Sequence, residues 1–319
     1  MRTESIAGKT FRCLVASILL ALLPWPGFSN ERSLAVIYPD VREPYQSVFQ
    51  EIIAGVDEQS ARQVKTYVLS REYEQKALEA WLTNNNIGAI IALGRSGVNV
   101  AASVADLLPV IAGALLLTPD PDGKQESGIS LDTDPEILFR QLKMLAPGIQ
   151  RVHVIYDPQA SAWLIDLARI AARHHGLELS AYPAESMKQS ARLYRDVLEK
   201  ADPRNSALWI PVDAATVDEK VILPLVLKES WDRSLLVFSS NPAHAKRGAL
   251  FSFYPDNVAL GRRLAAMAEQ SISDGARFDP VIFPLRDVRI AVNRRTADHL
   301  GISITREQQQ KFDLMFPAP

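Results

Sequence analysis

The chain has 319 residues, of which 47% are hydrophobic and 23% charged, which excludes an intrinsically disordered protein and fits one large domain or two ordinary ones. The formal net charge is −2 and no basic stripe with interleaved aromatic residues occurs, so nothing favours a nucleic-acid partner. Cys13 is the only cysteine and lies in an N-terminal apolar run, which excludes disulfides and thiol chemistry from the rest of the chain.

The N-terminal segment has the parts of a secretory signal peptide. Three basic residues precede the apolar run 13–29, which two prolines interrupt before it is long enough to span a bilayer comfortably. Gly27 and Ser29 are small residues at the spacing of a cleavage site. We therefore predict a signal peptide over 1–29, cleavage after Ser29 and a periplasmic mature protein. The alternative is an uncleaved anchor.

From Ser33 onward, short apolar runs alternate with segments of helical spacing, a pattern typical of parallel α/β sheets. The stretch 117–135 is rich in Pro, Asp and Gly and is predicted to be a linker or crossing segment. The alternation then restarts with RVHVIYD at 151–157, and a second crossing is expected at 253–261. The sequence thus predicts two doubly wound α/β units of similar size.

The stretch LGRSGVNVAA, residues 93–102, forms a predicted strand-to-helix turn. Such a turn presents free backbone N–H groups at a helix N-terminus, where an anion or carboxylate binds. Arg95 lies in the same turn and would add a cation for that anion. The alternative is that Gly94 and Gly97 only make the turn tight and that Arg95 is solvated.

Small polar residues follow most of the predicted strands. Ligands of open α/β sheets bind at the carboxyl ends of strands, although Asp, Ser and Asn there are also ordinary helix N-caps. The whole set is more informative than any member, because two facing sheets would aim both sets of turns at one cleft. The predicted ligand-binding residues are Asp40, Gly94, Arg95, Ser96, Gly97, Asp157, Ser161, Asp213, Ala214, Ser239, Ser240, Asn241 and Tyr254.

An enzyme needs a catalytic constellation, and the sequence shows none. The GRSGV segment lacks the final glycine of a nucleophile elbow, there is no HExxH, and no GxGxxG follows the first strand. His174 and His175 lie at a predicted helix end, where a cation is favourable without any metal. We therefore expect no catalytic activity, no metal and no cofactor.

Several segments of the second half carry a family resemblance. They are RVHVIYDP, ALWIPVDAAT, LLVFSSNPAHAKRGALFSFYPDNVALGRRLAAMAEQSISDG and VNRRTADHLGISI. With these, the chain resembles the substrate-binding proteins of ABC transporters of the tryptophan/tyrosine-binding type, within the type I periplasmic-binding-protein fold. The resemblance covers about residues 34–304.

The resemblance implies two Rossmann-like lobes joined by three crossing segments and closing on a small ligand. The first lobe would hold 33–118 plus 256–282, and the second 130–254 plus 284–319. The family's pocket aspartate would be Asp213. Two departures concern the ligand: DPQASAW keeps Ser161 but lacks the family's Asn, and Arg95 stands where small residues are common. Arg95 suits a carboxylate and Asp213 an ammonium or hydroxyl, which suggests an amino acid.

The expected function is that of a monomeric periplasmic receptor that binds a small polar or amphipathic solute by hinge closure and hands it to an ABC permease. Two alternatives stay open. The same fold serves as a periplasmic sensor module that docks to a membrane signalling receptor. A secreted α/β enzyme is the third possibility, and it would need a catalytic set that the sequence does not show.

Overall fold

The computed structural model describes residues 31–70, 72–120, 127–274 and 281–317. The predicted signal peptide and its cleavage site lie outside the described residues. Up to residue 133, the described elements are β1 (Ser33–Pro39), α1 (Tyr45–Gln59), β2 (Val64–Leu69), α2 (Gln75–Asn84), β3 (Ile87–Leu93), α3 (Gly94–Ala102), β4 (Val110–Leu115) and β5 (Ser127–Thr133).

The elements that follow include most of the second sheet. They are α4 (Pro135–Leu145), β6 (Arg151–Tyr156), α5 (Pro158–His174), β7 (Glu178–Pro183), α6 (Met187–Lys200), β8 (Ser206–Ile210), α7 (Ile222–Asp232), β9 (Leu236–Ser239), α8 (Pro242–Arg247), β10 (Phe251–Pro255), α9 (Asn257–Asp274), β11 (Ile282–Leu285), β12 (Val288–Asn293), α10 (Arg294–His299), α11 (Arg306–Gln309) and β13 (Leu314–Phe316).

Local sequence explains where several helices begin. Asp134, Asp157 and Asn241 each accept a backbone N–H bond from the first turn of the helix that follows, and a proline comes next in each case. Proline fits the first helical turn because its missing N–H would have no partner there and its φ is already helical. The Asp-Pro and Asn-Pro pairs thus define the starts of α4, α5 and α8.

The strands form two sheets. The six-stranded sheet has the order β11-β5-β4-β3-β1-β2, with every pair parallel. The seven-stranded sheet has the order β13-β12-β10-β9-β8-β6-β7. The pair β10–β12 is antiparallel, and all its other neighbouring strands pair in parallel. Every residue of the central strand β3 is buried, as expected for a parallel strand covered by helices on both faces.

The segment 117–135, predicted to be a linker or crossing segment, contains a strand before the chain crosses at Asp134. Within 117–135 the described residues include β5, which pairs with β4 and β11 in the six-stranded sheet. Residues 121–126 lie outside the described part. The Pro, Asp and Gly around the strand concealed it, because only Ile129 and Leu131 show strand alternation there.

The expected lobe boundaries at 130 and 284 lie close to two points where the chain leaves the six-stranded sheet. Both fall inside paired strands of the six-stranded sheet, β5 and β11. The chain leaves that sheet at Asp134, returns to its side with α9 after Asp256, rejoins it at β11, and leaves it again at 286–287.

Helices α1 and α9 pack with their backbones in contact. A Cβ atom added at Gly55 would overlap the carbonyl oxygen of Val258, and one added at Gly261 would overlap that of Ile52. The helix α9 begins just after Asp256, where the chain comes back from the seven-stranded sheet. Its contact with α1 therefore holds α9 against the six-stranded sheet. Leu260 and Leu264 of α9 are buried in the same core cluster as the residues of α1. Across the described ranges, no helix has the length and apolar character needed to cross a bilayer.

Candidate ligand site at the carboxyl ends of the strands

A hydrogen bond and a longer-range electrostatic interaction connect the two sheets near the carboxyl ends of their strands. Thr118, which follows β4, donates its hydroxyl proton to the carbonyl oxygen of Ala160 in the first turn of α5, at 3.2 Å. Asp132 at the end of β5 lies close enough to Asp213, which follows β8, for the two carboxyl groups to interact electrostatically. Each sheet therefore contributes a carboxyl group to the same region.

Asp132 is a site residue that the sequence reasoning missed. Its side chain is buried, with 8% exposure, and accepts a hydrogen bond from Ser130 Oγ at 2.8 Å. Ser130 Oγ in turn accepts the N–H of Leu117 at 2.9 Å, which ties the segment after β4 to β5. Burial raises the pKa of Asp132 from 3.8 to about 6, and the charge of Asp213 acts in the same direction.

We expect the Asp132 carboxyl group to make stability depend on pH. Its pKa is higher in the folded chain, so the free energy of unfolding falls as pH rises from about 4 to about 6, by roughly 3 kcal/mol at most. Asp132→Asn removes this ionisation. The variant should match the wild type near pH 4 and be more stable at pH 7.5, in urea unfolding measured across that range.

Asp166→Asn, on the exposed face of α5, is the matched control and should leave the pH profile unchanged. A constant difference between Asp132→Asn and the wild type at every pH would contradict the assignment of this pH dependence to Asp132.

Asp213 organises the loop after β8. Its Oδ1 accepts the N–H groups of Ala215 at 2.9 Å and Thr216 at 3.3 Å, and its Oδ2 accepts the N–H of Asp157 at 2.7 Å. The last bond joins the loop after β8 to the start of α5. A carboxylate has about four acceptor positions, so Asp213 keeps capacity for a further donor.

The predicted residues at the start of α5 have structural roles. Asp157 accepts the N–H of Gln159 at 2.9 Å and caps the helix. Ser161 is buried, with 5% exposure, and its N–H donates to the carbonyl oxygen of Asp157 at 2.9 Å. Ala214, beside Asp213, is exposed.

The predicted residues after β9 are also held by local hydrogen bonds. Ser239 is completely buried, and its Oγ donates to the carbonyl oxygen of Ile210 and lies 2.8 Å from His244 Nδ1. Ser240 Oγ accepts the indole N–H of Trp209 at 3.3 Å. Asn241 caps α8 by accepting the N–H of Ala243 at 3.0 Å.

On the six-stranded sheet, the turn into α3 combines tight packing with exposed polar side chains. Gly94 has a φ of +68°, and a Cβ at Gly97 would lie 2.8 Å from the carbonyl oxygen of Ile37. Both glycines are therefore required by the backbone. Arg95 and Ser96 are exposed, and Arg95 forms no ion pair with any residue that the structure describes.

The two remaining predicted residues lie at the edges of this region. Asp40 is exposed directly after β1, and its N–H donates to the carbonyl oxygen of Leu69 at 3.2 Å. Tyr254 is half-buried in β10, just before the chain returns at Asp256, and burial raises the pKa of its phenol.

Within the described ranges, no cluster of His, Cys, Asp and Glu is placed to hold a metal ion. His174 and His175 both contact one carboxylate: their ring nitrogens lie 3.4 and 2.8 Å from oxygens of Glu136.

Comparison with known proteins identifies the family. The sequence family described as ABC transporter substrate binding protein matches residues 82–310, and the chain belongs to this family. Proteins of this family bind a small-molecule solute and deliver it to an ABC permease. They are typically located outside the cytoplasm, and the family is one of binding proteins and not of enzymes. No curated protein matches the chain.

Solved structures share the fold at low sequence identity. A substrate-binding protein with adhesive properties from Clostridium difficile, in its ligand-free, open form, has a TM-score of 0.59 at 16% identity over 91% of this chain and 100% of that one. A conserved domain protein from Vibrio cholerae has 0.52 at 16% identity over 89% and 100%. An ABC domain from Streptococcus pneumoniae in complex with L-Trp has 0.51 at 19% identity over 89% and 100%. The predicted type I periplasmic-binding-protein fold is confirmed.

Proposed function

We propose that the chain is the solute-binding component of an ABC transport system and that it captures an amino acid between its two sheets. One observation carries the proposal: Asp132 and Asp213 come from different sheets and reach the same region. Neither carboxylate forms an ion pair within the described residues. A ligand ammonium group would therefore supply the positive charge that both carboxylates lack.

The other end of the ligand would meet α3. Arg95 is exposed and unpaired in the described chain, and it lies in the first turn of a helix whose backbone N–H groups attract anions. A carboxylate would bind there, with Ser96 beside it. The same space would be lined by Ala214, Tyr254 and Asp40. Ser239 is buried and would act indirectly, by holding the backbone of the site in place through its bond to Ile210.

Binding would favour closure about the three crossings, since the ligand contacts both sheets only in the closed form. The crossings are tied together by polar contacts. Arg286 Nε donates to Asp134 Oδ2 at 2.6 Å, and the Asp256 N–H donates to the carbonyl oxygen of Asp287 at 2.9 Å. The first lobe would comprise 33–133 plus 256–285, and the second 134–255 plus 286–317.

We propose in addition that residues 1–29 direct the chain to the periplasm and are removed, and that the mature protein acts as a monomer without catalytic activity. The family's description favours a permease as its partner. A membrane signalling receptor would use the same lobe edges, and no feature of the described residues favours it.

A thermal-shift panel tests the proposed ligand class. We expect at least one L-amino acid to raise the Tm by several degrees, because a ligand that binds only the folded state stabilises it. The matching 2-hydroxy acid, which lacks the ammonium group, should raise it far less. Equal shifts for the two compounds, or no shift with any amino acid, would contradict the proposal.

A further inference from the structure

A second concave surface lies on the seven-stranded sheet, at the end opposite the candidate ligand site. Because β12 runs antiparallel to β10, its last residue Asn293 lies at the amino ends of the parallel strands. There, α7, α8, α10 and β13 enclose a groove of about 960 Å³, which we call the distal groove. The residues that matter for its chemistry are Lys228, Trp231, Lys246, Arg247, Arg295 and Phe316.

The distal groove is strongly cationic. Its lining includes four basic side chains and no carboxylate, although the chain as a whole has a net charge of −2. Two of these cations form ion pairs with carboxylates that do not line the groove. Lys228 Nζ lies 2.8 Å from an oxygen of Asp232, and Arg247 Nη1 lies 2.7 Å from an oxygen of Glu219. Lys246 and Arg295 form no ion pair in the described chain, which leaves about two unbalanced positive charges.

Aromatic packing fixes part of this charge in place. The ring of Trp231 stacks on His299 with centroids 3.8 Å apart and an interplanar angle of 8°. The guanidinium carbon of Arg295 lies 5.3 Å from the centroid of the Trp231 ring, which is the geometry of a cation–π contact. Phe316 of β13 adds an apolar wall, so charged and apolar surfaces adjoin in one groove.

An unsatisfied hydroxyl lies beneath this groove. A small cavity of about 10 Å³ shares Trp231 and Gly248 with the groove and is also lined by Ser230. Ser230 is 2% exposed, and its Oγ has no hydrogen-bond partner among the described residues. Buried polar groups normally have a partner, and this cavity has room for one water-sized polar atom that would satisfy the hydroxyl.

We propose that the distal groove binds an organic phosphate dianion that carries an apolar body. The unpaired Lys246 and Arg295 match the charge of such a dianion, and Arg and Lys are the side chains that bind phosphate in proteins. The apolar body would lie against Trp231 and Phe316. The volume of the groove lies within the range of small-molecule sites. This site is separate from the proposed amino-acid site.

Phenyl phosphate is the probe, titrated calorimetrically at pH 7.5 beside inorganic phosphate and phenol. We expect phenyl phosphate to bind at least tenfold more tightly than either fragment. Lys246→Ala combined with Arg295→Ala should weaken phenyl phosphate at least tenfold. Arg169→Ala with Lys188→Ala makes the same change in charge at exposed positions on α5 and α6 and should leave the affinity unchanged.

The location of binding has its own readout. Phenyl phosphate should shift the NMR signal of the Trp231 indole N–H, which Trp231→Phe identifies by its loss. Asp132→Asn should not affect phenyl phosphate binding, because that residue belongs to the other site. No saturable binding, equal affinity for inorganic phosphate, or equal loss in the two double variants would overturn the proposal.

Discussion

Gly261→Ala is expected to destabilise the protein by about 3 kcal/mol or more, although alanine is the better helix former. In an unhindered helix the change would gain about 1 kcal/mol. Here the added methyl group would overlap the carbonyl oxygen of Ile52 in α1, so two helix backbones must separate. Overpacking of a buried contact costs about 1–3 kcal/mol or more, and this contact involves backbone that has no rotamer to change.

Gly148→Ala is the matched control for this prediction. Gly148 lies in the turn between α4 and β6, and no heavy atom of the described chain beyond its two neighbours lies within 4 Å of the position that its Cβ would take. This change should be neutral or slightly stabilising. Gly55→Ala should reproduce the effect of Gly261→Ala, because the added methyl group in α1 would overlap the carbonyl oxygen of Val258 in α9. Urea unfolding measures all three. A Gly261→Ala variant as stable as wild type would contradict the backbone contact.

Asp213→Ala is expected to cost about 3 kcal/mol of stability, because three backbone N–H groups lose their acceptor together. Asp213→Asn provides a graded comparison. An amide oxygen in the Oδ1 position still accepts from Ala215 and Thr216, whereas the amide nitrogen faces the Asp157 N–H and loses that bond. The loss for Asn should therefore be smaller than that for Ala. Equal effects of the two variants would mean that the Oδ1 bonds contribute nothing.

Stability and binding can be separated at this residue. If Asp213 also contacts the ligand ammonium, Asp213→Asn should lose more affinity for an amino acid than for the corresponding hydroxy acid. A purely structural role would weaken both ligands to the same extent.

The parts of the molecule that depend on local sequence were predictable. The alternation of apolar runs and helical segments indicates two α/β units. Asp157 and Asn241, for which helix capping was the alternative to ligand binding, do cap α5 and α8. Gly94 and Gly97 were recognised as residues of a tight turn, and the positive φ of Gly94 agrees. Each of these features depends on a few neighbouring residues.

The parts that depend on distant residues were not predictable. Strand β5 lies in a segment of turn-forming composition, and it becomes a strand because β4 and β11 pair with it on both sides. Asp132 was missed for the same reason. Its burial and its nearness to Asp213 arise only when two sheets meet. Likewise the bond from the Asp157 N–H to Asp213 spans 56 residues, and no local pattern encodes it.

We propose above that the two sheets hold an amino acid between them. Native mass spectrometry of the protein isolated from its source cells, with identification of the released small molecule, is the measurement to make first. We expect a one-to-one adduct that proves to be an amino acid and that Asp132→Asn no longer retains. A retained molecule without an ammonium group, or an adduct equally populated in Asp132→Asn, would contradict it.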